Sequence, residues 1–294
     1  MNLDYYEIDL DNGSYNLNKL AHLPEIIDIH THIFPKHIAA RAVDSIGSFY
    51  SLKMTGTGTS EALIEAANRA GVAKSVVFST ATVKSQVDAI NNFLAEQQNL
   101  NHDKFIAFGT LHPQQSAIEI NETLASLKAL HLHGIKLHPD FQQTAADSDF
   151  VLELAAQAGS EFPLMIHAGD WRYDFSGPAR IARLAALRPD SRIIAAHFGG
   201  WSQWQDAAHL LKNQYNVMVD TSSSLAFMPP AEATELIYKF GCHRVMFGSD
   251  FPMWQPYEEM VRLCSLELKP SELEKIFYYN AAEVLANSLR SSST

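Results

Sequence analysis

Residues 27–32 read Ile27-Asp28-Ile29-His30-Thr31-His32, and the fold turns on how this stretch is taken. Apolar and β-branched residues lead into two histidines two positions apart. In an extended strand side chains alternate sides, so Asp28, His30 and His32 are expected on one face and Ile27, Ile29 and Thr31 on the other. Two imidazoles side by side can bind one divalent metal, and a carboxylate one step down the same face can orient a ligating ring. The pattern fits two ordinary histidines on a solvated strand equally well, so the rest of the chain has to decide.

Working outward, Ile33 to Ser60 reads as a long connection rich in Gly, Ser and Thr around Met54-Thr55-Gly56-Thr57-Gly58-Thr59. Connections of that length usually form lids or binding loops. From Ser60 a unit repeats: an amphipathic helix, a turn, then a short β-branched run with a polar end. Glu61 to Ala70 has helical spacing and Gly71 as its C′ residue. The strands that follow are Ser75–Thr80, Phe105–Thr110, Gly134–Pro139, Pro163–His167, Arg192–His197, Val217–Asp220 and Arg244–Asp250, eight with the first. Helices of comparable length separate them, and Glu272 to Leu289 reads as the last.

Short apolar strands alternating with helices imply a parallel sheet covered on its faces, because parallel connections need long crossovers. Eight such units predict an α/β fold, a single-domain (β/α)8 TIM barrel over residues 25–294. A doubly wound open sheet is the alternative, but no Gly-x-Gly-x-x-Gly follows the first strand. Residues 1–24, ending at Leu23-Pro24, read as an N-terminal extension, and Arg290 to Thr294 as a frayed end.

Composition narrows the function. With 294 residues, 47% of them hydrophobic, the chain can bury a full core. A formal charge of −11 and a pI near 5.6 argue against a nucleic-acid or anionic-membrane partner, which needs clustered Lys and Arg. Cys242 and Cys264 are too few for a disulfide framework, and neither sits in a Cys-x-x-Cys pair. No apolar stretch reaches the roughly 20 residues of a membrane span, and the opening lacks a basic and apolar leader. A cytoplasmic protein acting on a small-molecule substrate is the expectation, with a homodimer as the default assembly.

The strand ends carry the chemistry. Strand one ends in His30 and His32, strand four in Lys136 and His138, strand five in His167, strand six in His197 and strand eight in Asp250, with His112 just beyond strand three. In a (β/α)8 barrel these ends converge on one mouth, where active sites of the fold are built. The loops after strands five and six add Trp171, Arg172, Tyr173, Arg180, Trp201 and Trp204. Folded over the mouth, Trp171, Arg172 and Trp201 would bind substrate, the indoles walling an apolar pocket and the arginine gripping a carboxylate bidentately. Packing of loop against helix is the other reading of the same aromatics.

Taken together, Asp28-x-His30-x-His32, Gly134-Ile135-Lys136-Leu137-His138-Pro139, Ile166-His167-Ala168-Gly169, Ala196-His197-Phe198-Gly199-Gly200, Gly248-Ser249-Asp250-Phe251-Pro252 and Asn280-Ala281-Ala282 resemble the amidohydrolase superfamily. Within it the chain looks like the amidohydrolase-related branch of metal-dependent hydrolases and decarboxylases, with a metallo-dependent hydrolase-like barrel. The resemblance implies that His30, His32, His167 and Asp250 hold one divalent metal, zinc first and manganese second by ligand type. It makes His197 the acid/base or carbonyl-polarising residue, and Asp250 the acceptor of a proton from water. The implied activity is hydrolysis through a metal-activated water. Nonoxidative decarboxylation or hydration on the same centre is the alternative, and a ligand-binding barrel without catalysis the third reading. Lys136 is open between a carboxylated bridge to a second metal, an ammonium for a substrate carboxylate and a buried ion-pair partner. His138 and His112 read as contacts of substrate or ligand, or as structural histidines.

Overall fold

A computed structural model describes Leu23 and residues 25–291. The expected N-terminal extension, Leu23 apart, lies outside the described residues. The chain opens with β1 (Ile27–His32), α1 (Lys36–Tyr50), α2 (Ser60–Ala70), β2 (Lys74–Phe78), α3 (Val87–Leu100) and β3 (Phe105–Ala107). It continues through α4 (Ala117–Ala129), β4 (Ile135–Leu137), α5 (Pro139–Gln142), α6 (Asp149–Ala158), β5 (Leu164–Ile166), α7 (Pro178–Leu187) and β6 (Ile193–Ala195). The last part holds α8 (Trp204–Leu211), β7 (Val217–Asp220), α9 (Pro230–Phe240), β8 (Val245–Met246), α10 (Pro256–Cys264), α11 (Pro270–Glu274), a π-helical turn (Lys275–Tyr279) and α12 (Asn280–Ser291). The final helix is thus three segments in place of one, and it runs through Arg290 and Ser291, which the sequence reading leaves frayed.

All strand pairs are parallel, in sheets ordered β1-β2-β3 and β4-β5-β6-β7-β8. Backbone hydrogen bonds cross both seams. The N–H of Lys136 donates to the Gly109 carbonyl at 2.7 Å and that of Gly109 to Gly134 at 2.9 Å. On the other side Ile29 donates to Phe247 at 2.9 Å, Asp250 to His30 at 2.8 Å and His32 to Phe251 at 2.7 Å. The eight strands therefore run in a ring, the expected α/β barrel.

Strand alternation sorts the core into two shells. Ile135, Leu137, Leu164, Ile166, Ile193, Ala195, Val217 and Val219 pack outward against the helices. Met165, Ile194, Val76, Phe78, Ile106 and Met246 form a separate inner cluster, with Ala281, Val284 and Leu285 of α12 packed into it. Each fully buried Leu, Ile or Phe contributes about 1.5–3 kcal/mol. Asn280 pins that helix by donating to the carbonyls of Cys242 and Val245, both at 2.7 Å.

Two expectations from the sequence are corrected. The connection after β1 is not an irregular loop: fifteen of its residues form α1, entered without a side-chain cap behind Pro35 and closed by Ser51 in the left-handed conformation. And β1 does not alternate strictly, because its pairing with β2 slips between Asp28 and Thr31. Ile27 and Ile29 join the inner cluster, next to the interior-facing His30.

Candidate active site

A cavity of about 840 Å³ opens where the strands end, and His30, His32, Lys136, His138, His167, His197 and Asp250 all line it. His197 and Asp250 sit at left-handed φ values of 60° and 62°, as do Phe198 and Ser223 at 51° and 46°. Non-glycine residues in this region cost about 1–3 kcal/mol each, a strain that the surrounding packing must offset and that fixes side-chain direction. Gly169, at φ 94°, lets two loops touch: a Cβ there would lie 2.1 Å from the Trp201 backbone nitrogen. That contact brings Trp201 into the cavity wall.

The proton positions follow from the partners. The Nδ1 of His197 lies 3.1 Å from the Ser222 carbonyl, which can only accept, so Nδ1 carries the hydrogen. The Nδ1 of His30 lies 2.9 Å from Asp220 Oδ2 and donates to it. The Ser222 hydroxyl gives its own hydrogen to Asp220 Oδ1 and stands 2.9 Å and 3.1 Å from the two Nδ1 atoms, consistent with both donating. His30 and His197 therefore present unprotonated Nε2 atoms to the cavity. Burial pushes His30, His32, His167 and His197 below the ordinary imidazole range, which keeps them neutral.

Asp250 Oδ1 lies 3.4 Å from His30 Nε2 and 3.2 Å from His32 Nε2. A lone pair aimed at a carboxylate oxygen calls for a cation, and separations of 3.2–3.4 Å match the edges of a polyhedron with bonds of about 2.0–2.2 Å. The three residues thus fit a divalent metal. Although burial opposes it, the ring of His30, followed by His32 and His197, holds the Asp250 carboxyl well below its usual range. His167 is one residue removed: its Nδ1 meets His197 Nε2 at 3.0 Å, and its Nε2 faces Asp140 Oδ2 at 3.5 Å. The Lys136 ammonium, pushed down to about 8 by burial, stands 3.2 Å from His30 Nε2 and 4.6 Å from the Phe78 ring centroid.

His138, Asp140 and His167 form a second cluster of donors. The His138 and His167 rings stack at 4.0 Å with planes 8° apart, and Phe141 stacks on His138 at 3.7 Å. In-plane lone pairs of stacked rings run parallel and do not converge on one ion, so this group is a packed aromatic column.

Other residues singled out in the sequence lie elsewhere. His112 is outside the cavity lining, its Nε2 donating to the Thr82 carbonyl at 3.3 Å while its Nδ1 accepts from the Gln114 N–H. Trp171 is half exposed and does not line the cavity. Arg172 is held bidentately by buried Asp170, at 2.9 Å and 2.7 Å, and its third nitrogen donates to the Phe49 carbonyl at 2.8 Å. Its fork is filled by the protein itself. Arg180 likewise pairs with Asp147 and Asp174.

Two site residues escape the sequence reading. Asp220, at the end of β7, takes the ring-orienting role expected of Asp28; the Asp28 carboxylate instead accepts the N–H groups of His30 and Ser249, at 3.1 Å and 3.0 Å. Its place at a strand end was the available signal. Tyr50, the last residue of α1, reaches His138 Nε2 at 2.9 Å and His167 Nε2 at 3.5 Å. Burial raises its phenol well above the usual range.

The architecture is shared widely. The TIM-barrel protein Bb4693 from Bordetella bronchiseptica superposes with a TM-score of 0.76 at 20% identity, covering 90% of this chain and 100% of that one. A 2,6-dihydroxybenzoate decarboxylase from Rhizobium gives 0.69 at 15% identity over 89% and 98%. A 5-carboxyvanillate decarboxylase from Novosphingobium aromaticivorans, complexed with manganese and 4-hydroxy-3-methoxy-5-nitrobenzoic acid, gives 0.67 at 16% identity over 89% and 96%. Likeness at these identities establishes the fold. No curated protein sequence matches the chain. Among the described residues no helix is long and apolar enough to cross a membrane. The family model described as amidohydrolase matches residues 27–286, so the chain is an enzyme of the amidohydrolase family.

Proposed function

We propose that this chain is a metal-dependent hydrolase acting on a carbonyl group of a small, planar, carboxylated substrate. The observation that carries the reading is the convergence of His30 Nε2, His32 Nε2 and Asp250 Oδ1 at the floor of the cavity. A divalent cation held by these residues, with His167 beside them, supplies Lewis acidity toward a carbonyl oxygen and eases deprotonation of water. Zinc is our first assignment from the ligand types, and manganese the second.

The chain's own groups divide the proton work. Asp250 is ionised and accepts a proton from the attacking water. His197 Nε2 enters as an acceptor too, because its Nδ1 hydrogen is committed to the Ser222 carbonyl; it can take a proton and return it to the leaving group. Lys136 supplies positive charge for a substrate carboxylate in a buried setting. Phe34, Phe49, Phe93, Phe141 and Trp201 in the lining favour a flat apolar body.

Nonoxidative decarboxylation of an aromatic acid is the second reading. The aromatic lining favours it, and decarboxylases of aromatic acids share the fold. Elemental analysis of protein purified without chelator is the first test, with about one zinc or manganese per chain expected from the donor set. No metal, even after adding it back, would overturn the proposal. Assaying aromatic carboxylates for CO2 release against lactones and esters for acid release then separates the two reactions.

A further inference from the structure

The centre described above is rich in acceptors. Asp250 is ionised, and His30, His32 and His197 are neutral, so beyond the Lys136 ammonium a substrate oxygen that carries negative charge needs a donor from another direction. Among the residues lining the cavity, Tyr50 stands out because its proton is not committed. His138 Nδ1 accepts the backbone N–H of Phe141 at 3.3 Å, so this nitrogen bears no hydrogen and the ring is not an imidazolium. The single ring hydrogen is on Nε2, and Nε2 lies 2.9 Å from the Tyr50 hydroxyl. His138 is therefore the donor in that bond and Tyr50 the acceptor. Among the described residues the other hydrogen-bond acceptor of the phenol is His167 Nε2 at 3.5 Å, the outer limit of a hydrogen bond. The phenol hydrogen is left to point into the cavity, which Tyr50 lines together with His30, His32 and Asp250.

The phenol is also rigidly placed. His138 is fixed by Phe141 on one face and His167 on the other. The Tyr50 ring packs edge-on against Trp201 at 5.3 Å between centroids, and the Arg172 guanidinium lies 5.7 Å from its centre. The preceding carbonyl, of Phe49, is held by Arg172 at 2.8 Å. A donor whose direction is set before substrate arrives need not be reorganised during the reaction.

We propose that Tyr50 is a catalytic residue: its O–H, oriented by the Nε2–H of His138, donates a hydrogen bond to a negatively charged oxygen of the substrate across from Asp250. The assignment rests on the reading of His30, His32 and Asp250 as the metal centre, and it serves hydrolysis and decarboxylation alike, since both pass through an anionic oxygen. His138 is the positioning residue.

Benzoate tests the donor without knowledge of the natural substrate. On manganese-loaded protein, titration calorimetry is expected to show benzoate binding to wild type and binding roughly ten- to hundredfold weaker to Tyr50→Phe, the worth of one hydrogen bond to a charged group. Manganese content should be the same in both, and Phe keeps the ring packing. Should Tyr50→Phe fail to fold, His138→Gln, which retains an N–H at that end, is expected to keep benzoate affinity while His138→Leu loses it. Equal benzoate affinity in wild type and Tyr50→Phe, or in His138→Gln and His138→Leu, overturns the proposal and leaves the metal centre standing. A wild type that takes up manganese and no benzoate overturns it as well. A wild type without manganese overturns the reading of the centre, and Tyr50 falls with it.

Discussion

Asp220 shows how much one carboxylate can settle. It accepts His30 Nδ1, the His197 and Ser222 backbone N–H groups and the Ser222 hydroxyl, and so fixes which nitrogen each ring offers to the cavity. Asp220→Asn replaces an acceptor by a donor at this point and is expected to lower metal affinity about 10–100-fold, measurable by titration with a competing chelator. Asp250→Asn tests the base directly: assayed at saturating metal, which offsets the loss of a charged donor, turnover should fall by about 10²–10⁴. Unchanged turnover would sink the role given to Asp250. Of the site residues, His30, His32, Lys136, His138, His167, His197 and Asp250 were legible because each closes a β-branched run, and strand ends meet at one mouth. Asp220 closes such a run as well, but an isolated carboxylate at the end of Val217-Met218-Val219 carries no motif of its own. Strict alternation makes Asp28 the ring's partner, and the slipped register of β1, which gives that place to Asp220, leaves no mark in residue types.

At the scale of elements, α1 matters most. Its sequence hides a helix: Gly47 and two serines weaken the propensity, no side chain caps the start, and neither the first turn nor the last carries the charges that favour a helix dipole. Ile38, Ala42, Ile46 and Phe49 form a helical stripe, and all four line the cavity. Only tertiary contacts reveal that Tyr50 ends beside His138. The end of α1 is held by Arg172, which joins the Phe49 carbonyl to buried Asp170 in the loop after β5. Arg172→Ala is expected to speed amide hydrogen exchange across residues 46–51, leaving exchange in β5 and metal affinity as in wild type. Unaltered exchange there would mean that packing alone secures the helix.

The whole molecule stores protons in its interior. Burial raises the carboxyls of Asp28 and Asp140 to about 7 and that of Glu259 to about 8, from ordinary values of 3.8 and 4.5. Between those limits the folded state keeps protons that the unfolded chain releases, so their stabilising contribution is complete at low pH and is lost as pH rises toward 8. Asp250, shifted the other way, contributes stability that is complete above its ordinary value and is lost only as pH falls below it. Because the buried histidines, neutral in the fold, oppose this trend at acid pH, the test is the difference in urea stability between wild type and Glu259→Gln, which should move against wild type as pH rises from 5 to 8.5. The barrel itself was legible throughout the chain, since eight alternations of helix and short strand admit few other arrangements; the buried carboxyls were not, because Asp28 and Glu259 look like any polar residue until burial is known.

One face of a single helix, bounded by Pro35 and Ser51, supplies a large share of the cavity wall and the Tyr50 phenol, while every residue of the proposed metal centre belongs to the barrel. The cavity wall and the proposed metal centre are thus carried on separable pieces of chain: exchanging residues 36–49 as a cassette, with the Tyr50 phenol kept, is expected to change the substrate preferred while the strand-end residues stay in place.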